Sequence, residues 1–94
     1  MYYVYMLKSK GIKSVTYVGY TNNLKKRISL HNSGKGAKFT RGRKWKLKYF
    51  KSYENKKTAM REEYKLKKNY KLRKKIKFGD ISWKYQYYYP TKKI

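Results

Sequence analysis

The fold of this chain is indicated most clearly by residues 2–20, with the sequence YYVYMLKSKGIKSVTYVGY. The first part, residues 2–7, is aromatic, β-branched and apolar almost throughout, which predicts a strand that is covered on both faces. Residues 10–14 read as a turn. Residues 15–20 predict a second strand, paired with the first as a hairpin.

A helix is predicted after the hairpin, ending near Asn32. Polar residues at 21–23 offer N-cap oxygens, and Leu24 and Ile28 stand four apart, so they share one helical face. Gly34 suits the position just past the end of this helix, where a left-handed backbone is common.

A third strand and two more helices complete the predicted pattern. Between residues 45 and 53, Trp45, Leu47, Tyr49 and Tyr53 alternate with other residues, which predicts a half-buried strand. Thr58 is expected to cap a second helix that runs to about Tyr70, with an apolar stripe of Met60, Tyr64 and Leu66. A further helix is predicted over residues 72–78.

This order of elements predicts an α+β domain over residues 1–78, with a small three-stranded antiparallel sheet packed with helices. The remaining segment, 79–94, is a tyrosine-rich C-terminal tail. Apolar residues from Ile81 to Tyr87 follow a two-residue period, which indicates an extra C-terminal strand on the sheet edge. An extended arm is the alternative.

The charge of the chain points to a polyanionic partner. It has 94 residues, with 28 Lys and Arg against four acids, and a formal net charge of +24. A compact domain with this charge repels itself, and a surface built for solubility mixes both signs. We expect nucleic acid as the partner, ahead of an anionic membrane.

The composition also excludes some classes of site. Without cysteine there are no disulfides and no Cys-based zinc sites. The sequence contains no apolar run of the roughly 20 residues needed to span a bilayer, and its start does not resemble a signal peptide. We therefore expect an intracellular protein with no membrane partner.

Two tyrosines on the predicted hairpin are candidates for chemistry. Tyr5 and Tyr17 are expected close to opposite one another on the adjacent strands, where two phenols can bind a water or donate to phosphate oxygens. The alternative is that both simply pack in the sheet. Gly19 favours a site, because a glycine within a strand often marks close approach of a ligand or another backbone.

Arg27 and His31 are four residues apart on the first helix and share a face, which we expect at the border of the sheet. An arginine can clamp a phosphate with two hydrogen bonds. His31 is the only histidine, and the ordinary pKa of its imidazole suits a general base near neutral pH. A solvated charge and a packing role are the alternatives.

Glu63 is a conspicuous acid in so basic a chain. A hard cation such as Mg²⁺ takes one or two carboxylates together with phosphate oxygens and water. The alternative is a helical ion pair with Lys67, four residues on. Glu62 competes for the same role, but we expect it to point more toward solvent.

A basic loop follows the first helix, with aromatic residues between its cations. Exposed aromatic side chains can stack on bases, and cations bind phosphates. We expect Trp45 in the core and leave Phe39 open between core and base contact. The predicted nucleic-acid-binding residues are Lys35, Lys38, Arg41, Arg43, Lys44 and Lys67.

These segments together resemble the GIY-YIG nuclease superfamily, most closely its small single-domain branch with YhbQ-like sequences. Tyr3-Val4-Tyr5 and Tyr17-Val18-Gly19 stand where that family has its two name-giving motifs. Residues 23–27 match the start of its first helix, and residues 31–41 its following loop. Residues 59–67 look like its metal-binding helix, with Glu63 at the position of the family glutamate.

The resemblance implies a divalent-metal-dependent DNA endonuclease. Glu63 would hold one Mg²⁺ or Mn²⁺, Arg27 would neutralise charge in the transition state, and Tyr5, Tyr17 or His31 would activate or position the attacking water. A domain of this size leaves no room for a second recognition module. We therefore expect structure-selective or weakly sequence-selective cutting, with branched or damaged DNA as candidate substrates.

Two other functions remain compatible with the sequence. One is a nucleic-acid-binding module that has the same fold but does not cut. The other is a basic protein that coats polyanions without specificity, in which the set of Tyr5, Tyr17, Arg27, His31 and Glu63 would have no role.

Overall fold

The computed structural model describes residues 1–78, so the tail 79–94 and its predicted strand lie outside the described residues. The predicted α+β fold is confirmed. Three strands and three helices follow in the order β1 (Tyr2–Ser9), β2 (Thr16–Thr21), α1 (Leu24–Asn32), β3 (Trp45–Tyr53), α2 (Lys56–Lys68) and α3 (Tyr70–Lys77), with a short 3-10 turn (Lys38–Thr40) between α1 and β3.

β1 is the central strand, as its apolar sequence predicts. The sheet order is β2-β1-β3, and both pairings are antiparallel. Val4, Tyr5, Met6 and Leu7 are all buried, because helices cover both faces of this strand.

The alternating side chains of β1 build two separate cores. On one face, Val4 and Met6 pack in a cluster with residues of α2 and α3, which include Leu66 and Ile76. On the other face, Tyr5 and Leu7 pack against Leu24 and Ile28 of α1. The side chain of Trp45, the first residue of β3, completes this second cluster.

The hairpin brings Tyr5 and Tyr17 close to opposite one another, as predicted. Tyr5 lies opposite Gly19, while Tyr17 lies opposite Leu7, so the two tyrosines are offset by two residues along the strands. They are diagonal neighbours on the same face, and their ring centroids are 6.4 Å apart.

β3 contains a bulge that the alternating sequence conceals. Met6 pairs with Tyr49, but Leu7 pairs with Leu47, so Lys48 is the extra residue on β3. Trp45 and Leu47 consequently pack on the α1 face, whereas Tyr49 packs on the opposite face. The prediction of one continuous half-buried face is wrong at this point.

Asparagines cap all three helices. The side chain of Asn23 accepts a hydrogen bond from the backbone of Lys26 at the start of α1, and Asn69 serves α3 in the same way. At α2 the cap is Asn55, which accepts from the Thr58 backbone N–H at 2.8 Å. The prediction that Thr58 caps this helix is wrong, because the chain becomes helical two residues earlier.

The buried stripe of α2 also differs from the prediction. Ala59 and Leu66 carry it, while Met60 and Tyr64 are exposed, at 46% and 58%. At the end of α1 the prediction is confirmed, since Gly34 has a φ of +83°. No helix within residues 1–78 has the length and apolar character that crossing a membrane would need.

Candidate active site

The centre of the site is a buried hydrogen bond between Tyr5 and His31. The phenol oxygen of Tyr5 and Nε2 of His31 are 2.8 Å apart, and both side chains are 0% exposed. We expected His31 at the border of the sheet, and this expectation is wrong. His31 lies in the last turn of α1, next to Ile28, and points at the sheet rather than along its edge.

The hydrogen bonds around this pair have one consistent direction. The hydroxyl of Thr40 donates to the Ala37 carbonyl at 2.9 Å, so its oxygen accepts from Nδ1–H of His31, also at 2.9 Å. Nε2 of His31 is then the acceptor and the Tyr5 hydroxyl donates to it. The Tyr5 oxygen in turn accepts from Nε of Arg27 at 3.4 Å.

Burial keeps both members of the pair neutral near pH 7. It raises the pKa of Tyr5 to about 12, against a lowering by the Arg27 hydrogen bond, while Tyr17 and Glu63 add to the rise. Burial also lowers the pKa of His31 to about 4, and the charge of Arg27 acts in the same direction. The hydrogen bond to Tyr5 raises the pKa of Arg27, whose guanidinium stays charged.

Two glycines make room for the pair. A Cβ atom at Gly19 would lie 2.6 Å from the Tyr5 hydroxyl oxygen, and one at Gly36 would collide with Nδ1 of His31. Gly19 therefore does mark a close approach, but of the Tyr5 side chain from the neighbouring strand rather than of a ligand or another backbone.

Aromatic rings form the outer wall of the site. Tyr17 lies 4.9 Å from the His31 ring and stacks on Phe39, with ring centroids 6.2 Å apart and planes at 21°. Phe39 is 55% exposed, so it extends this wall to the surface. Trp45, by contrast, is buried in the core, as predicted.

Asn32 and Trp45 hold the basic loop in place. The Asn32 amide accepts from the Trp45 backbone N–H at 2.6 Å and donates to the Trp45 carbonyl at 3.2 Å. The indole N–H of Trp45 donates to the carbonyl of Thr40 at 3.0 Å. The predicted phosphate-binding cations of this loop are all exposed: Lys35, Lys38, Arg41, Arg43 and Lys44.

Thr40 and Asn32 are the members of this site that residue patterns did not reveal. Thr40 is 0% exposed and supports His31, yet it lies in a loop, where no periodicity identifies a buried position. Asn32 ends α1, and its amide pairs with a residue 13 positions later. Only the likeness of residues 31–41 to a family loop carried a signal for either residue.

The two glutamates of α2 face different surroundings. The charge of Glu63 contributes to the raised pKa of Tyr5, whereas that of Glu62 contributes to the raised pKa of Tyr53, after the larger effect of burial in each case. The side chain of Glu63 is also less exposed, at 15% against 29%. Of the two glutamates, Glu63 is thus the one whose charge acts on Tyr5.

Glu63 forms an ion pair with Lys67, with 3.0 Å between Nζ and the carboxylate oxygen. Within residues 1–78 there is no group of three or more His, Cys, Asp or Glu side chains that could enclose a metal ion. A partly buried single carboxylate nevertheless fits Mg²⁺ or Mn²⁺, because such ions take the rest of their ligands from phosphate and water. Lys67 would then have to move away.

Comparison of the sequence with known proteins gives matches over most of the chain. The family model of the GIY-YIG catalytic domain matches residues 1–77. A UPF0213 protein of Clostridium perfringens is 55% identical over 69 residues, which are 72% of each chain. One of Bacillus anthracis is 47% identical over 79 residues, 83% of this chain and 78% of the relative. No solved structure gives a significant match.

Proposed function

We propose that this chain, which belongs to the GIY-YIG nuclease family, is a divalent-metal-dependent DNA endonuclease with Glu63 as its metal ligand. The family carries a nuclease-type function and acts on nucleic acid, and its members generally use a divalent cation. The observation that carries the proposal is the hydrogen-bonded line from Arg27 through Tyr5 to His31, with the Glu63 charge acting on the same phenol.

Glu63 would bind Mg²⁺ or Mn²⁺ through its carboxylate. When bound, such an ion polarises the scissile phosphate and stabilises the leaving oxygen. Lys67 balances the carboxylate charge in the free protein and, once released, becomes one more exposed cation for a DNA phosphate. The ion pair and the metal site are therefore alternative states of the same carboxylate.

Arg27 would hold the scissile phosphate. Its Nε is used by Tyr5, which leaves the terminal nitrogens of the half-buried guanidinium for phosphate oxygens. The guanidinium is fixed by Tyr5 before the substrate arrives. A fixed donor of this kind stabilises the charge that develops on the phosphate in the transition state.

The direction of the hydrogen bonds favours Tyr5 and His31 acting together on the attacking water. With a pKa of about 12, Tyr5 does not ionise near neutral pH on its own. It can accept a proton from water while its own proton passes to Nε2 of His31, and the resulting hydroxide attacks phosphorus. Phosphate bound at Arg27 would offset the positive charge that lowers the pKa of His31.

The exposed cations of residues 35–44 would bind the DNA backbone on either side of the cut. Backbone contacts carry affinity but no sequence information. Because the proposed contacts are to the DNA backbone, we propose structure-selective or weakly sequence-selective cutting. Branched or damaged DNA, as it arises in repair or recombination, is the proposed substrate.

The test is cleavage of supercoiled, branched and single-stranded DNA with Mg²⁺, with Mn²⁺ and with EDTA. We expect cutting with a divalent ion and none with EDTA. Glu63→Gln should abolish cutting and leave DNA binding intact, whereas Glu62→Gln, one residue along α2, should change little. Tight binding without cutting under every metal condition would instead identify a binding module on the nuclease fold.

A further inference from the structure

The surface of α3 carries two large aromatic side chains that the core does not use. Tyr70, the first residue of this helix, is 64% exposed, and Phe78, its C-cap, is 58% exposed. They are about 12 Å apart along the helix axis. Both rings line one cavity, so they belong to a single surface rather than being scattered singly.

Helical geometry places these rings and three cations on one side of α3. At 100° per residue, Tyr70, Arg73, Lys74, Lys77 and Phe78 fall within an arc of about 140°. The opposite side of the helix carries the apolar residues that pack against the sheet. This side of α3 is therefore a continuous surface with one ring at each end and three cations between them.

Cations lie directly beside both rings. The guanidinium of Arg73 is 5.7 Å from the Tyr70 ring centroid, and Nζ of Lys77 and of Lys8 are 5.4 and 5.7 Å from that of Phe78. α3 contains no acid, and every ion pair found within residues 1–78 lies on α2. The positive charge of the α3 surface is thus not neutralised by carboxylates of the described chain.

A cavity of about 180 Å³ opens in this surface, between α3 and the start of β2. Its lining consists of Thr16, Tyr70, Arg73, Lys74, Lys77 and Phe78. It is a concave place where rings, hydrocarbon stems and positive charge converge. This combination suits a flat aromatic group attached to a phosphate.

The α3 surface is separate from the candidate active site. α3 packs against the sheet face of Val4 and Met6, whereas Tyr5 and His31 lie on the other face, under α1. Glu63 belongs to α2, on the same side of the sheet as α3, but it does not line the α3 cavity. A ligand bound at α3 consequently does not compete for Arg27 or for the Tyr5–His31 pair. The nuclease proposal uses none of the α3 residues.

We propose that the α3 surface is a second nucleic-acid-binding site, specific for an unpaired strand. Bases would stack on Tyr70 and Phe78, and the exposed Lys74 would bind a phosphate between them, while Lys77 donates to the Ser14 carbonyl at 2.8 Å and adds positive charge to the cavity. An unpaired strand fits best, because a duplex buries the base faces that these rings would contact. The chain would then hold duplex at one face of the sheet and a single strand at the other.

The test is binding in EDTA, which keeps the measurement independent of cleavage and of the nuclease proposal. Tyr70→Leu/Phe78→Leu keeps apolar bulk but removes both rings. It should weaken binding of an oligothymidine or oligouridine strand by at least about tenfold and change duplex affinity less than twofold, because only an unpaired strand exposes base faces for stacking. Tyr64→Leu is the matched control, since Tyr64 is an exposed ring beside Lys68 on α2.

A charge variant gives a second readout. Lys74→Gln should lower the slope of single-strand affinity against salt by about one, while Lys71→Gln, outside the cavity, should have a smaller effect. Unchanged single-strand binding in the Tyr70→Leu/Phe78→Leu variant would overturn the proposal. Equal losses of single-strand and duplex affinity in this variant would also overturn the proposal. They would show that the two rings do not distinguish an unpaired strand from a duplex.

Discussion

The two faces of the sheet are built from alternate residues of the same strand, yet they bury different chemistry. On the α2–α3 face, Val4 and Met6 enter an almost wholly apolar cluster. On the α1 face, Tyr5 enters a cluster that also contains a buried imidazole and a buried threonine hydroxyl, linked to each other by hydrogen bonds.

The two faces also stabilise the fold in different ways. Buried polar groups stabilise a fold only when each finds its partner, and here His31 has one for each ring nitrogen. The α2–α3 face contributes stability mainly through buried apolar area. The hydrogen-bonded polar network is therefore the feature that distinguishes the α1 face.

Removing the hydroxyl group of Tyr5 from the α1 face should have the largest effect on the cleavage rate. Tyr5→Phe keeps the ring but deletes the hydroxyl between Arg27 and His31, so we expect cleavage to fall about 10²–10⁴-fold, the usual contribution of general acid–base catalysis. Tyr3→Phe is the control, two residues earlier on the same face and packed against Phe50. Single-turnover cleavage rates measure both. Similar losses for the two variants would mean that the hydroxyl of Tyr5 has no special role.

The opposite face should respond in stability rather than in rate. Ile76→Ala removes a buried side chain of α3, a helix that carries none of the proposed active-site residues, from the apolar cluster and should cost about 2–5 kcal/mol in the free energy of unfolding. At a temperature where the variant is still folded, its single-turnover rate should match that of the unaltered chain. Denaturant unfolding and cleavage assays separate the two effects. A large loss of rate in the folded variant would break the division between the faces.

His31 should make the stability of the α1 face depend on pH. Its pKa is about 4 in the folded protein against 6.5 when exposed, so the unfolded chain binds more protons in this range. The resulting stabilisation is complete above pH 6.5 and is lost as the pH falls to 4, about 3 kcal/mol in all. Unfolding of His31→Gln, measured over the same range, should show a correspondingly shallower pH dependence. Parallel curves would mean that His31 is not buried in its neutral form.

The comparison also shows what a sequence can predict. The strand β1, its central position and the helix α1 follow from apolar runs, periodicity and caps, and these were correct. The bulge at Lys48 could not be seen, because Trp45, Leu47 and Tyr49 alternate in the sequence as regularly as in a flat strand. The exact pairing of β1 with β2 likewise depends on how the hairpin turn closes. The sequence therefore placed Tyr5 near Tyr17 but did not identify Gly19 as the residue opposite Tyr5.

Sequence patterns indicated that Tyr5, Arg27 and His31 lie near one another, but not how deeply each is buried. Helical spacing places Arg27 and His31 on the same side of α1, but it does not say that His31 is fully buried while Arg27 stays at the edge. Nor does spacing reveal Thr40, whose position depends on how a loop folds over a helix. Partners of this kind come from tertiary structure, not from a local pattern.

The most direct test of the central claim compares Arg27→Ala with Lys26→Ala in single-turnover cleavage at saturating DNA. With 28 basic residues, neither loss should alter affinity much, so the rate isolates the role of the guanidinium beside Tyr5. We predict a loss of about 10²–10³ for Arg27→Ala and almost none for Lys26→Ala, because Lys26 is exposed. Equal rates for the two variants would contradict the assignment of this site as the place where DNA is cut.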